Sequence, residues 1–192
     1  RWDSPEELDT KLTAAIVRHL GLKGPDDESG FSARLGGGEF KGELYFHPQG
    51  KINEGGCGPL AEAWQVLSPV RANGWGVAAL NRMIQSRFRP RMKERAAARE
   101  WRKVPAPVGR DGILYGDKVI CVANGKREGY AGEGDKKPLY IANGDIGVVV
   151  GDYGSKGKLG GPKNLSVEFK NAPRYRVTFW RVGDRFSLTG VR

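Results

Sequence analysis

Cysteine, histidine and methionine are almost missing from this chain, with two of each in 192 residues. Cys57 and Cys121 lie far apart, as do His19 and His47, so neither pair has the close spacing of a zinc knuckle. So few cysteines suit a reducing compartment, and a cytoplasmic location is expected, although the count also allows one disulfide. No apolar run approaches the ~20 residues that span a bilayer, so no membrane partner is expected. The opening Arg1-Trp2-Asp3-Ser4-Pro5-Glu6 has neither the apolar core of a signal peptide nor an initiating Met, and the expectation is a piece cut from a longer chain. There is no G-x-x-x-x-G-K-[ST] loop to cradle phosphates and no strand ending in an acidic pair for magnesium. No carboxylate cluster or histidine constellation has useful spacing, which puts a nuclease or similar enzyme last. Acidic residues are also in deficit: 22 Asp and Glu stand against 32 Lys and Arg, a net charge of +10. Such an excess favours a polyanion, nucleic acid first.

What is present begins with a helix. Ser4 and Glu7 fit a capping box, Pro5 sits where its missing N–H costs nothing, and Leu8, Leu12, Ala15, Ile16 and His19 recur at helical spacing until Gly21. His19 on that face reads as structural. Asp26-Asp27-Glu28-Ser29 follows Gly24-Pro25 and reads as a solvated loop. Phe31–Leu35 and Glu43–His47, separated by Gly36-Gly37-Gly38, read as two strands of a hairpin. Trp64–Pro69 reads as a short buried strand of a parallel sheet, Val70–Gly74 as a turn, and Gly76–Phe88 as a helix with Val77, Leu80, Ile84 and Phe88 on one face. Strand, turn and helix make half of a doubly wound unit, whose ligands bind at the carboxyl ends of strands, where Arg71 sits.

The charge from Arg82 to Lys103 is lopsided towards Arg and Lys, either a solvated helical face or a phosphate-contacting one. Pro105-Ala106-Pro107 then suggests a boundary between a unit at 1–104 and one at 105–192. Beyond it the period changes to two. Lys118–Ala123, Leu139–Ile141, Ile146–Tyr153, Leu165–Lys170 and Tyr175–Arg181 read as strands, with Gly147 at a bulge. The stretch from Asn124 to Pro138 and the Gly/Lys stretch from Gly154 to Lys163 read as loops. Short strands with Gly-rich turns describe a small β-barrel.

Two patterns carry a resemblance. Trp64-Gln65-Val66-Leu67-Ser68-Pro69-Val70-Arg71, followed by Gly76, Leu80-Asn81-Arg82 and Gln85, resembles motif IV of RecD-like superfamily 1 DNA helicases and the helix after it. Gly116-Asp117-Lys118-Val119-Ile120, then Asn124, then Asn143-Gly144-Asp145-Ile146-Gly147-Val148-Val149, is similar to a second segment of that family, in the same order and spacing. The likeness spans roughly Trp64 to Asp152. It implies a partial RecA-like α/β portion followed by a small Src-homology-3-like β-barrel inserted in the second motor domain. It implies that Arg71 reaches the nucleotide phosphates, a role suited to a permanently charged guanidinium. In UvrD-like members the preceding residue is an aromatic that stacks on adenine; Val70 cannot, which favours the RecD branch.

The resemblance further implies single-stranded DNA along the barrel, with Asn143, Gly144 and Asp145 at its turn. Those three also serve a purely architectural Asn-Gly turn. Lys126, Arg127, Lys136, Lys137, Lys156, Lys158 and Lys163 are candidate phosphate contacts, and Tyr130, Tyr140, Tyr153 and Trp180 compete between stacking bases and filling the core. ATP and Mg²⁺ would belong to the full-length parent, with none bound by this chain alone, and the parent's first motor domain would be an obligatory partner. The alternative is a standalone nucleic-acid-binding barrel without a motor.

Overall fold

The structure, a computed structural model, describes residues 2–46, 55–70, 75–98, 107–109, 111–131, 134–151, 164–180 and 186–188. The expected boundary at 104/105 lies outside them, as does the Gly/Lys stretch of 154–163.

Helix α1 (Pro5–Leu20) forms as its ends dictate. The Ser4 hydroxyl accepts from Glu7 N–H at 3.2 Å while the Glu7 carboxylate accepts from Asp3 N–H at 2.7 Å, satisfying donors that the first turn leaves open. Gly21, at φ 62°, closes the other end with N–H bonds from Gly21 to Arg18 and from Leu22 to Val17, the pairing that a left-handed glycine permits.

The acidic stretch after it is more than a solvated loop. Asp27 caps α2 (Glu28–Ala33), and the Glu28 carboxylate accepts from the N–H groups of Arg91 and Met92 at the start of α5 (Pro90–Ala98). Phe31–Leu35 is therefore helix and turn, not strand. The ring of Phe31 stacks on Phe88 at 4.8 Å and meets Trp64 edge-on, and this packing overrides its strand-like composition. A hairpin does form one step later, from β1 (Gly38–Phe40) and β2 (Glu43–Tyr45), through Lys41 and Gly42 at φ 53° and 76°, the left-handed pair that a two-residue turn requires. Short α3 (Gly58–Glu62) and then α4 (Val77–Phe88) follow, the latter burying Leu80, Ile84 and Phe88 as its spacing predicts.

Trp64–Pro69 is not a buried strand. A single bridge at Val66 is its only strand character among the described residues, and Leu67 is 77% exposed. Every strand pairing among the described residues is antiparallel.

The remaining strands are β3 (Lys118–Cys121), β4 (Gly125–Tyr130), β5 (Lys136–Ile141), β6 (Ile146–Gly151), β7 (Asn164–Phe169), β8 (Arg176–Trp180) and β9 (Phe186–Leu188). They form one sheet in the order β5-β4-β8-β7-β6-β3-β9. The expected loop of 124–138 is thus largely the β4–β5 hairpin. The register irregularity of β6 lies between Val149 and Gly151, not at Gly147. Gly147 is small because a Cβ there would come within 2.6 Å of the Glu168 carbonyl on the neighbouring strand.

The described pairings leave β5 and β9 as edges, so a closed barrel is not among them. The sheet nevertheless curls: Leu139 and Ile141 of β5 share one apolar cluster with Val119 and Cys121 of β3 and with Leu165, Val167 and Phe169 of β7. The opposite face carries the helices. β6 serves both sides, sending Val149 into the sheet's own cluster and Ile146, Val148 and Val150 into the cluster under the helices. The result is a mixed α/β fold, helices layered on a curled antiparallel sheet. No helix among the described residues is long and apolar enough to cross a membrane.

Candidate functional site

The residues of the two sequence patterns meet at the junction between helices and sheet. Gln85 of α4 donates from Nε2 to Asp117 Oδ2 at 2.6 Å and to the Gly112 carbonyl at 3.0 Å, and Asp117 also accepts from Leu114 N–H at 2.8 Å. Lys118, only 5% exposed, donates from Nζ to the Trp64 carbonyl and sits 4.3 Å from the centre of the Trp64 ring. Gly116, at φ 81°, is required by its surroundings as well as its conformation, since a Cβ would lie 2.1 Å from Phe46 and 2.7 Å from Arg89. Glycine, carboxylate and ammonium thus occupy consecutive positions because three different neighbours press on that turn.

Arg89, at the end of α4, is the largest fully buried side chain among the described residues. Its guanidinium donates to Ser32 Oγ at 3.2 Å and to the Tyr115 carbonyl, and lies 5.1 Å from the centre of the Phe46 ring. Burial pushes the Asp117 carboxyl up, and the Arg89 charge opposes that push. Burial likewise pulls the Lys118 ammonium down to about 8, with Glu62 opposing. The Tyr115 hydroxyl, which accepts from Phe46 N–H at 2.9 Å, is pushed up to about 12 chiefly by burial.

The chain entering the first pattern is strapped to the sheet. Glu168 of β7 accepts from the N–H groups of Cys57 and Gly58, and Lys170 pairs with Glu62 at 2.7 Å. Gly58 lies so close to β7 that a Cβ would come within 2.3 Å of the Phe169 backbone. Cys57 and Cys121 are both buried thiols, and the disulfide that their count allowed is not formed.

Arg71 lies outside the described residues, as do Lys156, Lys158, Lys163 and Tyr153. The chain on either side of Arg71 is held, with Val77 N–H donating to the Val70 carbonyl at 3.0 Å and Val70 N–H to Ser68 Oγ at 3.3 Å. Asn143, Gly144 and Asp145 form the turn between β5 and β6. Gly144 adopts φ 100° and its N–H donates to the Cys121 carbonyl, Asp145 Oδ2 accepts from Ala142 N–H, and Asn143 N–H donates to Asn124 Oδ1. Their bonds are those of an architectural turn, with Asn143 exposed.

Lys126, Arg127, Lys136 and Lys137 are on strands, not in loops. Lys126 points to solvent, whereas the Arg127 guanidinium lies 5.6 Å from the centre of the Phe179 ring at the sheet's inner side. Tyr130 and Tyr140 are exposed and do not fill the core.

Sequence reasoning missed Arg89, treating it as one of a run of surface cations. A signal was present: Asn81, Gln85 and Arg89 repeat every fourth residue beside the apolar stripe of α4, a polar row at the rim of a buried face. Glu168 carried none, because the groups it caps are backbone N–H and lie more than a hundred residues away.

No family model, curated protein or solved structure matches the chain.

Proposed function

We propose that this chain is part of a RecD-like superfamily 1 DNA helicase of the cytoplasm. In this reading residues 1–104 are a partial RecA-like portion and residues 105–192 an inserted Src-homology-3-like barrel. The observation that supports it most is the junction: Trp64 and Gln85 of the motif IV pattern touch Lys118 and Asp117 of the second pattern. Two likenesses read independently along the chain are thereby one contact surface, as parts of a single motor would be. The curled sheet, whose distant strands share a core, suits a small barrel. The alternative, a standalone nucleic-acid-binding module, accounts for the net charge but gives the junction no role beyond stability.

The division of labour follows from chemistry. The sequence has no phosphate-cradling loop, so ATP and Mg²⁺ would be held by the parent's first motor domain, and this chain would supply Arg71. A guanidinium there stabilises charge on the transferring phosphoryl group. Single-stranded DNA would lie on the sheet, attracted by the excess of cations.

The test is hydrolysis by the full reading frame. Arg71→Ala should lower ATP turnover by about a thousandfold while leaving DNA affinity nearly unchanged. The isolated chain should show no ATPase activity. Unchanged turnover in the variant removes Arg71 from the site, and robust turnover by the isolated chain overturns the division between the two domains.

A further inference from the structure

The β4–β5 hairpin has one face packed and one face bare. Leu139 and Ile141 point into the sheet's core, so Tyr140 between them points out, 57% exposed. Across the strand pair, Tyr140 stands opposite Lys126, Pro138 opposite Glu128, and Lys136 opposite Tyr130, which is 37% exposed. The outer face therefore carries a lysine–tyrosine couple at each end. Along β4 the couples are four residues apart, about 13 Å at the rise of an extended strand, too far for one base to bridge. Tyr130 is also held in place: its hydroxyl donates to Glu128 at 2.6 Å and Lys136 Nζ lies 5.4 Å from the ring centre. That bond occupies the one acidic side chain among the six.

We propose that this outer face is a stacking platform for single-stranded nucleic acid, with Tyr130 and Tyr140 each taking a base and Lys126 and Lys136 the adjoining phosphates. The inference rests on the nucleic-acid part of the reading above and is independent of the motor. Stacking on a side chain needs an unstacked base, which a single strand offers and a duplex does not. The charge is complementary, since two lysines face the strand on a chain of net charge +10. Nothing on the face reads base edges, so binding should be tolerant of sequence.

The experiment is fluorescence anisotropy with a labelled oligo-dT strand and a duplex of equal length, on the intact chain. Tyr140→Ala should weaken single-strand binding about tenfold, Tyr140→Phe should retain it, and Tyr140→Leu, which keeps the apolar bulk, should weaken it as Ala does. Lys126→Gln with Lys136→Gln should flatten the slope of log affinity against log salt by about 1.4. Circular dichroism melts should match the parent chain, since both rings are on the surface. Should Tyr130→Ala and Tyr140→Ala bind like the parent chain, the platform is overturned while nucleic-acid binding elsewhere stands. Equal affinity for duplex overturns stacking. No binding at low salt overturns the platform and the nucleic-acid reading together.

Discussion

The cluster under the helices packs around Arg89, Asp117, Gln85 and Ser32, all buried, whereas the cluster inside the curled sheet consists of Val, Ile, Leu, Phe, Ala and Cys. An apolar core is adaptable, because burial is non-directional and scales with area. A charged core is not. Arg89 and Asp117 tolerate few arrangements, since each lost hydrogen bond leaves a buried charge uncompensated. The sheet can form from patterning alone. The helices share an apolar cluster with β6, and the buried polar contacts beside it specify one docking geometry.

The contrast can be broken from either side. The largest effect is expected for Arg89→Met, which strands Asp117 in the core and should cost about 3–5 kcal/mol in urea denaturation. Adding Asp117→Asn should recover part of that loss, and a double-mutant cycle without coupling would show that the charge is not what the core is built on. Within the sheet, Leu165→Ala should cost about 3 kcal/mol, and no second substitution of a polar group should rescue it.

Lys118 sharpens the comparison through pH. An unfolded lysine titrates near 10.4, while the buried one is pulled down to about 8. Between those values the unfolded chain holds a proton that the folded chain has released, so Lys118 by itself should raise stability from pH 8 to pH 10, by roughly 2 kcal/mol. Two other buried groups oppose that rise: the Cys57 thiol is pushed up by burial, so above about pH 8.5 the unfolded chain loses a proton that the folded chain keeps, and Tyr115, held to about 12, does the same above pH 10. Lys118 is therefore read as a difference: in unfolding followed across pH 7.5–10, the stability of the parent chain relative to Lys118→Met should rise with pH. The smallest effect is expected for Glu62→Gln. It breaks a pair with a side chain 59% exposed and should shift stability by no more than about 0.5 kcal/mol, a shift that added salt erases.

Elements with local signals were legible in the sequence. Ser4, Pro5 and Gly21 mark both ends of α1, and Val77, Leu80, Ile84 and Phe88 mark the buried stripe of α4. β3, β7 and β8 announce themselves by apolar residues at period two, and β6 by a continuous apolar run. β4 does not, because its inward positions are Arg127, whose guanidinium lies over Phe179, and Gly129, which admits the Leu139 side chain. Phe31–Leu35 misled because a helix of little over one turn has no periodicity to read, and its identity comes from Asp27 and the Phe88 ring. Trp64–Pro69 has the composition of a buried strand, but burial needs neighbours on both sides, and Leu67 is left 77% exposed. Of the candidate contacts on the β4–β5 hairpin, Lys126, Lys136, Lys137 and the two tyrosines are exposed. Their arrangement was hidden because it depends on a cross-strand register that no single segment encodes.

Among the described residues β5 ends the sheet, and no further strand pairs with its outer row of backbone groups. Open edges invite copies of a protein to pair and grow into aggregates. Here the row begins Lys136-Lys137-Pro138: two charges repel an identical neighbour, and the proline nitrogen has no hydrogen to donate to it. Lys136, which the platform sets against a phosphate, therefore also guards the edge against self-association, and a variant that neutralises both Lys136 and Lys137 should be the more prone to fibre-like stacking.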